Sequence, residues 1–178
     1  VQADNFSVTY RKDGGDPLPF SPGATNLTDA GRYAITVSGI GNYTGAYGEA
    51  EFVILPKNLA EGDSEHGTQP VAIEVDGADG LTYNGKAQTP GVAASYAGAD
   101  ADPDATGMQL VAGADYTLAY ANNTNAGTNT AQVTVYGAGN YTGSRTLTFG
   151  IAPQTVYVKV LGASKVYGAI DPAYTYEA

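Results

Sequence analysis

The chain has 178 residues and a formal net charge of −10, with 8 Lys and Arg against 18 Asp and Glu. So acidic a chain cannot lay a cationic stripe along phosphates, which argues against nucleic-acid binding. Without Cys there are no disulfides, thiolate zinc sites or cysteine nucleophiles, and no apolar run approaches the ~18 residues of a membrane-spanning helix.

The large apolar side chains are few: Trp is absent and Phe occurs 4 times, against 14 Tyr and 24 Gly. Thin, turn-rich cores leaning on Tyr, Val and Thr are the expectation. From the start of the chain, NFSVTY (5–10) predicts a strand, being alternating and rich in β-branched and aromatic residues. RKDGGDPLPFSPGATNLT (11–28) is polar and full of turn formers. YAITVSG (33–39) and AYGEAEFVILP (46–56) predict two further strands, the last closed by a Pro. KNLAEGDSEHG (57–67) is the best helical candidate, but its polarity and two Gly make 57–70 a linker. The stretch 71–112 holds VAIEV, LTYNGKAQTP and GVAASYA. DYTLAY (115–120), AQVTVYG (131–137), SRTLTFGI (144–151) and TVYVKVL (155–161) are again strands, and a Tyr-rich tail follows.

The chain repeats itself. DAGRYAITVSGIGNYTG (29–45) and NAGTNTAQVTVYGAGNYTG (125–143) share an Asx-Ala-Gly start, an alternating strand and Gly-x-Gly-Asn-Tyr-Thr-Gly. Each is preceded by a Tyr-ended strand and followed by a strand that closes on Pro. Residues 1–56 therefore read as the C-terminal portion of one repeat and 71–153 as a complete second one. Residues 154–178 read as the opening strands of a third. Val1 is not an initiator Met, so a fragment of a longer chain is expected.

Gly41, Asn42, Tyr43 and Gly45, matched by Gly139, Asn140, Tyr141 and Gly143, form a structural turn between the last two strands of each repeat. Gly39 and Gly137 join them as positions where positive φ is expected. The Asn are expected to tolerate the left-handed region, and the Tyr to cover the end of the core with the hydroxyl wet. The loop joins strand to strand, so there is no helix N-terminus to hold a phosphate.

LTYNGKAQTPGV, then DYTLAYANNTNAGTNTAQVTVYGAGNYTG and a TLTFGI strand, resemble the Ig-like and MBG-type repeats of large bacterial surface proteins. KVYGAIDPAYTY (165–176) resembles the start of the YGX-type MBG repeat. The resemblance covers most of 82–176, and 29–56 in the first repeat; 11–28 departs from it, standing where the second repeat has only ANNT. It implies tandem repeats at the bacterial cell surface or outside the cell, in adhesion or spacing roles. The fold class expected is all-β, in tandem small antiparallel Ig-like sandwiches. A β-grasp-like fold is second, because it needs a helix that the pattern lacks.

Candidate chemistry is sparse. Asp100, Asp102 and Asp104, in GADADPDATG, can converge on calcium, although Ala105 stands where an EF-hand needs Gly and Val111 where it needs Glu. Otherwise no cofactor is expected. His66, the only histidine, lies in the linker without the rigid partners of a catalytic triad. No pair of acids is marked for glycoside hydrolysis, so no catalytic residue is assigned and an enzyme is not expected. Lys86 could face the Asn-rich 122–129 for a self-formed isopeptide. The function that fits is a non-catalytic stalk or spacer of an adhesin-like protein, its partners being neighbouring repeats of the same chain. The alternative is a module binding a host glycan or protein through exposed Tyr such as Tyr96, Tyr116 and Tyr136. The half-repeats at either end also invite head-to-tail strand complementation between molecules.

Overall fold

A computed structural model describes residues 5–20, 27–60, 70–96 and 108–178, and the chain is all-β. β1 (Phe6–Lys12), β2 (Leu18–Pro19), β3 (Gly31–Gly39) and β4 (Ala46–Ile54) make one antiparallel sheet in the order β2-β1-β3-β4. The register sets Val8 opposite Val37, Tyr10 opposite Ile35 and Tyr33 opposite Phe52, which gathers the apolar side chains on one face. Tyr33 stacks on Phe52 with ring centroids 5.1 Å apart. The departing segment 11–28 supplies the edge strand β2, where Pro19 lacks a ladder donor and is tolerated. Its Phe20 meets Tyr10 edge-on, at 6.4 Å and 82°.

The second unit is a two-layer sandwich. β6 (Ala72–Asp76), β7 (Gly91–Tyr96) and β8 (Met108–Gln109) form one antiparallel layer. β9 (Tyr116–Ala121), β10 (Gly127–Gly137) and β12 (Ser144–Ile151) form the other, with β10 central. Alternation along β10 buries Ala131, Val133 and Val135, and Phe149 and Ile151 of β12 join them. Ile73 and Ala94 of the first layer pack with Val71, Leu110 and Tyr116 beside Val135. Burying each large aliphatic contributes roughly 1.5–3 kcal/mol. Two tyrosines stitch the layers together while satisfying their own polar ends: the Tyr116 hydroxyl donates to the Val92 carbonyl at 2.9 Å, and that of Tyr120 to the Pro90 carbonyl.

At the end of β12 the Ala152 amide donates to the Leu81 carbonyl, and Ala152 in turn accepts from the Tyr83 amide, both at 2.8 Å. The tail then forms a short hairpin of β13 (Lys159–Val160) and β14 (Tyr176–Glu177).

Two smaller strands complete the order, β5 (Lys57–Asn58) and β11 (Tyr141–Thr142), and they pair in parallel. The stretch assigned to a linker, 57–70, thus opens with residues that belong to a sheet and, at Leu59, to the second unit's core. A linker reading weighs polarity over the whole run and misses one large aliphatic that a neighbouring unit can bury.

Candidate functional site

The Gly-x-Gly-Asn-Tyr-Thr-Gly turn is built alike in both units. The Gly39 amide donates to the Gly45 carbonyl, and that of Gly137 to Gly143, each at 2.9 Å. Gly41, Gly45, Gly139 and Gly143 take φ of +65°, +100°, +59° and +77°, as a glycine turn requires. Two expectations about this turn change. Gly39 and Gly137 are not among the positive-φ residues; at Gly137 an added Cβ would lie 2.6 Å from the Thr142 amide, so close approach explains that glycine. Asn42 and Asn140 are not left-handed either.

The side chain of Asn140 has a different task. Its Nδ2 donates to Asp29 Oδ1 at 3.0 Å, and its Oδ1 accepts the Ala30 amide at 2.7 Å. The turn of the second unit is thereby fastened to the Asp-Ala-Gly corner of the first. Asp29 is also 3.8 Å from the Lys12 ammonium, and its carbonyl accepts the Tyr33 hydroxyl at 2.9 Å. Beside this contact the Lys57 amide donates to the Asn140 carbonyl and the Leu59 amide to the Thr142 carbonyl, both at 2.9 Å. The strand leaving the first unit so becomes part of the second.

Leu59 is fully buried among Val71, Tyr116, Val135 and Tyr141. Asn58 accepts the Ala60 amide on its Oδ1 at 2.9 Å, and a Cβ on Gly143 would stand 2.5 Å from that oxygen. The Lys57 ammonium lies 5.8 Å from the centre of the Tyr96 ring. Burial first, then the nearby Asp115 and Tyr96, push the Tyr141 phenol above its ordinary pKa. The two turn tyrosines therefore differ: Tyr141 is in the core and Tyr43 is exposed. This junction joins elements of different units by both polar and apolar contacts.

Other candidates are less built. Asp100, Asp102, Asp104 and His66 lie outside the described residues. Among the described residues no group of three or more His, Asp or Glu is placed to hold a metal ion, and no helix is long and apolar enough to cross a membrane. A groove of about 590 Å³ at the far end of the second unit is lined by Asp79, Leu81, Gly127, Asn129, Phe149 and Pro153, among others, and Asp79 is its one carboxylate. Lys86 is exposed, and the Asn123 amide nitrogen is engaged by the Gln88 carbonyl at 2.8 Å. A self-formed isopeptide needs a buried acid to promote it, and among the described residues no charged side chain is buried. Of the three tyrosines suggested for ligand stacking, Tyr116 is 4% exposed and Tyr96 half-buried under Lys57; Tyr136 is open.

Asp29, Asn58 and Leu59 are the junction residues that sequence reasoning missed. A signal existed for one of them: Leu59 is the only large aliphatic in its polar run. No protein-family model matches this chain, and no curated protein or solved structure gives a significant match.

Proposed function

We propose that this chain is a non-catalytic stalk or spacer segment of a bacterial cell-surface or secreted, adhesin-like protein, with the neighbouring repeats of its own chain as its first partners. The observation that carries the reading is the welded junction: Leu59 leaves one unit and fills the core of the next, while Asn140 reaches back across the boundary. A free linker lets domains swing; a linker whose side chain is a core residue of the next domain resists bending. Serial units that each contact only their neighbours transmit reach rather than chemistry. The resemblance to MBG-type repeats and the acidic composition support a place outside the cell.

The alternative of a glycan- or host-protein-binding module has less support, because two of its three suggested tyrosines are engaged within the protein. Small-angle scattering tests the spacer reading. The chain should give a narrow distribution of end-to-end dimensions, and Leu59→Ala together with Asn140→Ala should broaden it. Deleting the Leu59 side chain alone removes about 2–5 kcal/mol from the second unit and its junction. A wild-type distribution as broad as that of the double variant defeats the reading.

A further inference from the structure

β10 carries an insertion that its counterpart β3 lacks, and the insertion lines a cavity. β3 runs nine residues from Gly31 to Gly39, and β10 runs eleven from Gly127 to Gly137. In the first unit Gly31 faces Ile54 and Tyr33 faces Phe52, with Arg32 opposite Val53 between them. In the second Gly127 faces Ile151 and Ala131 faces Phe149, so Thr128, Asn129 and Thr130 stand against Gly150 alone. The surplus makes a β-bulge, a device that re-aims side chains and is common beside binding and active sites.

The residues at the bulge are those its backbone needs. Asn129 takes a φ of +55°, in the left-handed region that Asn tolerates better than most residues. At Gly127 an added Cβ would collide with the Thr130 hydroxyl. At Gly150 a Cβ would lie 3.6 Å from both the Asn129 nitrogen and the Gly127 carbonyl oxygen, so no side chain of β12 covers the bulge. The first unit has Val53 at that place. The bulge and the loop 78–81 together line the groove of about 590 Å³. The Leu81 carbonyl accepts the Ala152 amide at 2.8 Å, which pins the loop to the end of β12.

We propose that this groove binds a neutral sugar, as the end unit of an oligosaccharide. Its volume falls within the ~300–1,000 Å³ usual for small-molecule sites. Among the described residues that line it, Asp79 is the one charged side chain, and the whole chain carries −10. A phosphate, sulfate or carboxylate ligand is therefore repelled. A divalent cation fails too, because it needs several oxygen ligands and a single carboxylate does not hold it. What the groove offers is a carboxylate acceptor at Asp79, a carboxamide at Asn129 that both donates and accepts, and the hydroxyls of Thr128 and Thr148. The neighbouring hydroxyls of a pyranose ring, each a donor and an acceptor, match that set, and its C–H face suits Leu81 and Pro153. The first unit, without the insertion, lacks the residues that supply half of these groups. The site is separate from the tyrosines considered above and goes beyond the spacer reading, giving one unit of the spacer a recognition groove.

Nuclear magnetic resonance titration of the ¹⁵N-labelled full chain tests the proposal. Lactose, maltotriose, chitotriose and mannotriose serve as neutral probes, with glucuronate and lysine amide as charged controls. At least one neutral probe should move the amide signals of Thr128, Asn129, Gly150 and Ala152, with an affinity in the millimolar range or tighter. Asp79→Ala and Asn129→Gly change exposed positions, and the second keeps the left-handed backbone. Each should weaken that binding by roughly fivefold or more. No shift with any neutral probe, shifts confined to other residues, or titrations indifferent to both substitutions overturn the proposal. Tighter binding of glucuronate or lysine amide than of every neutral probe overturns it as well, by making the groove a site for a charged ligand. The spacer reading is decided separately, because scattering from the unliganded chain still reports the internal junction.

Discussion

Gly143 and Gly45 occupy the same place in the same turn, and their surroundings differ because one turn is docked. Both take positive φ, so a Cβ strains either backbone; at Gly45 nothing lies within 4 Å of it, while at Gly143 it meets Asn58. Gly143→Ala should therefore lower the urea midpoint clearly more than Gly45→Ala, whose penalty is the conformational part alone, about 1 kcal/mol. The tyrosines add a pH dependence. Burial first, then Tyr116, raise Tyr120, and burial, Asp115 and Tyr96 raise Tyr141, above the usual value of 10.0. Both stay neutral in the folded chain at a pH where the unfolded chain ionises them. Their contribution is thus complete below about pH 10 and is lost as the pH climbs through the raised values. Urea midpoints should fall on the alkaline side, and Tyr141→Phe should flatten that fall; an unchanged slope would contradict the assignment.

At the level of the element, most strands were legible in the residues. AQVTVYG and SRTLTFGI alternate, and the alternation buries Ala131, Val133 and Val135 of β10 and Phe149 and Ile151 of β12. The turn was legible as well, since its glycines recur at fixed offsets in both copies. The short strands β2, β5 and β11 were not. Each has two residues, too few for a period to register, and each exists because a neighbour offers an edge. β5 is the instructive case: Lys57 and Asn58 carry no strand preference, yet the open carbonyls of Asn140 and Thr142 recruit their stretch of backbone.

For the molecule as a whole, the two units should differ in stability. Among the described residues the second has both layers and a sealed core, and the first has one layer whose apolar face is half covered. Hydrogen exchange should show the amide of Ile35 opening at lower free energy than that of its counterpart Val133, and unfolding should then depart from a single two-state transition. Equal protection at the two positions would mean that the first sheet is covered by something other than its own residues.

The amino-acid order by itself determined the all-β class, the repeat and the turn, because alternation and glycine placement act over a few residues. Only the tertiary structure decided that the turn is also a fastening. The Ala30 amide and the Asn140 carboxamide are 110 residues apart, and Leu59 becomes a core residue only where another unit provides the cavity. Contacts of that range depend on where whole sheets come to rest, which no local pattern encodes.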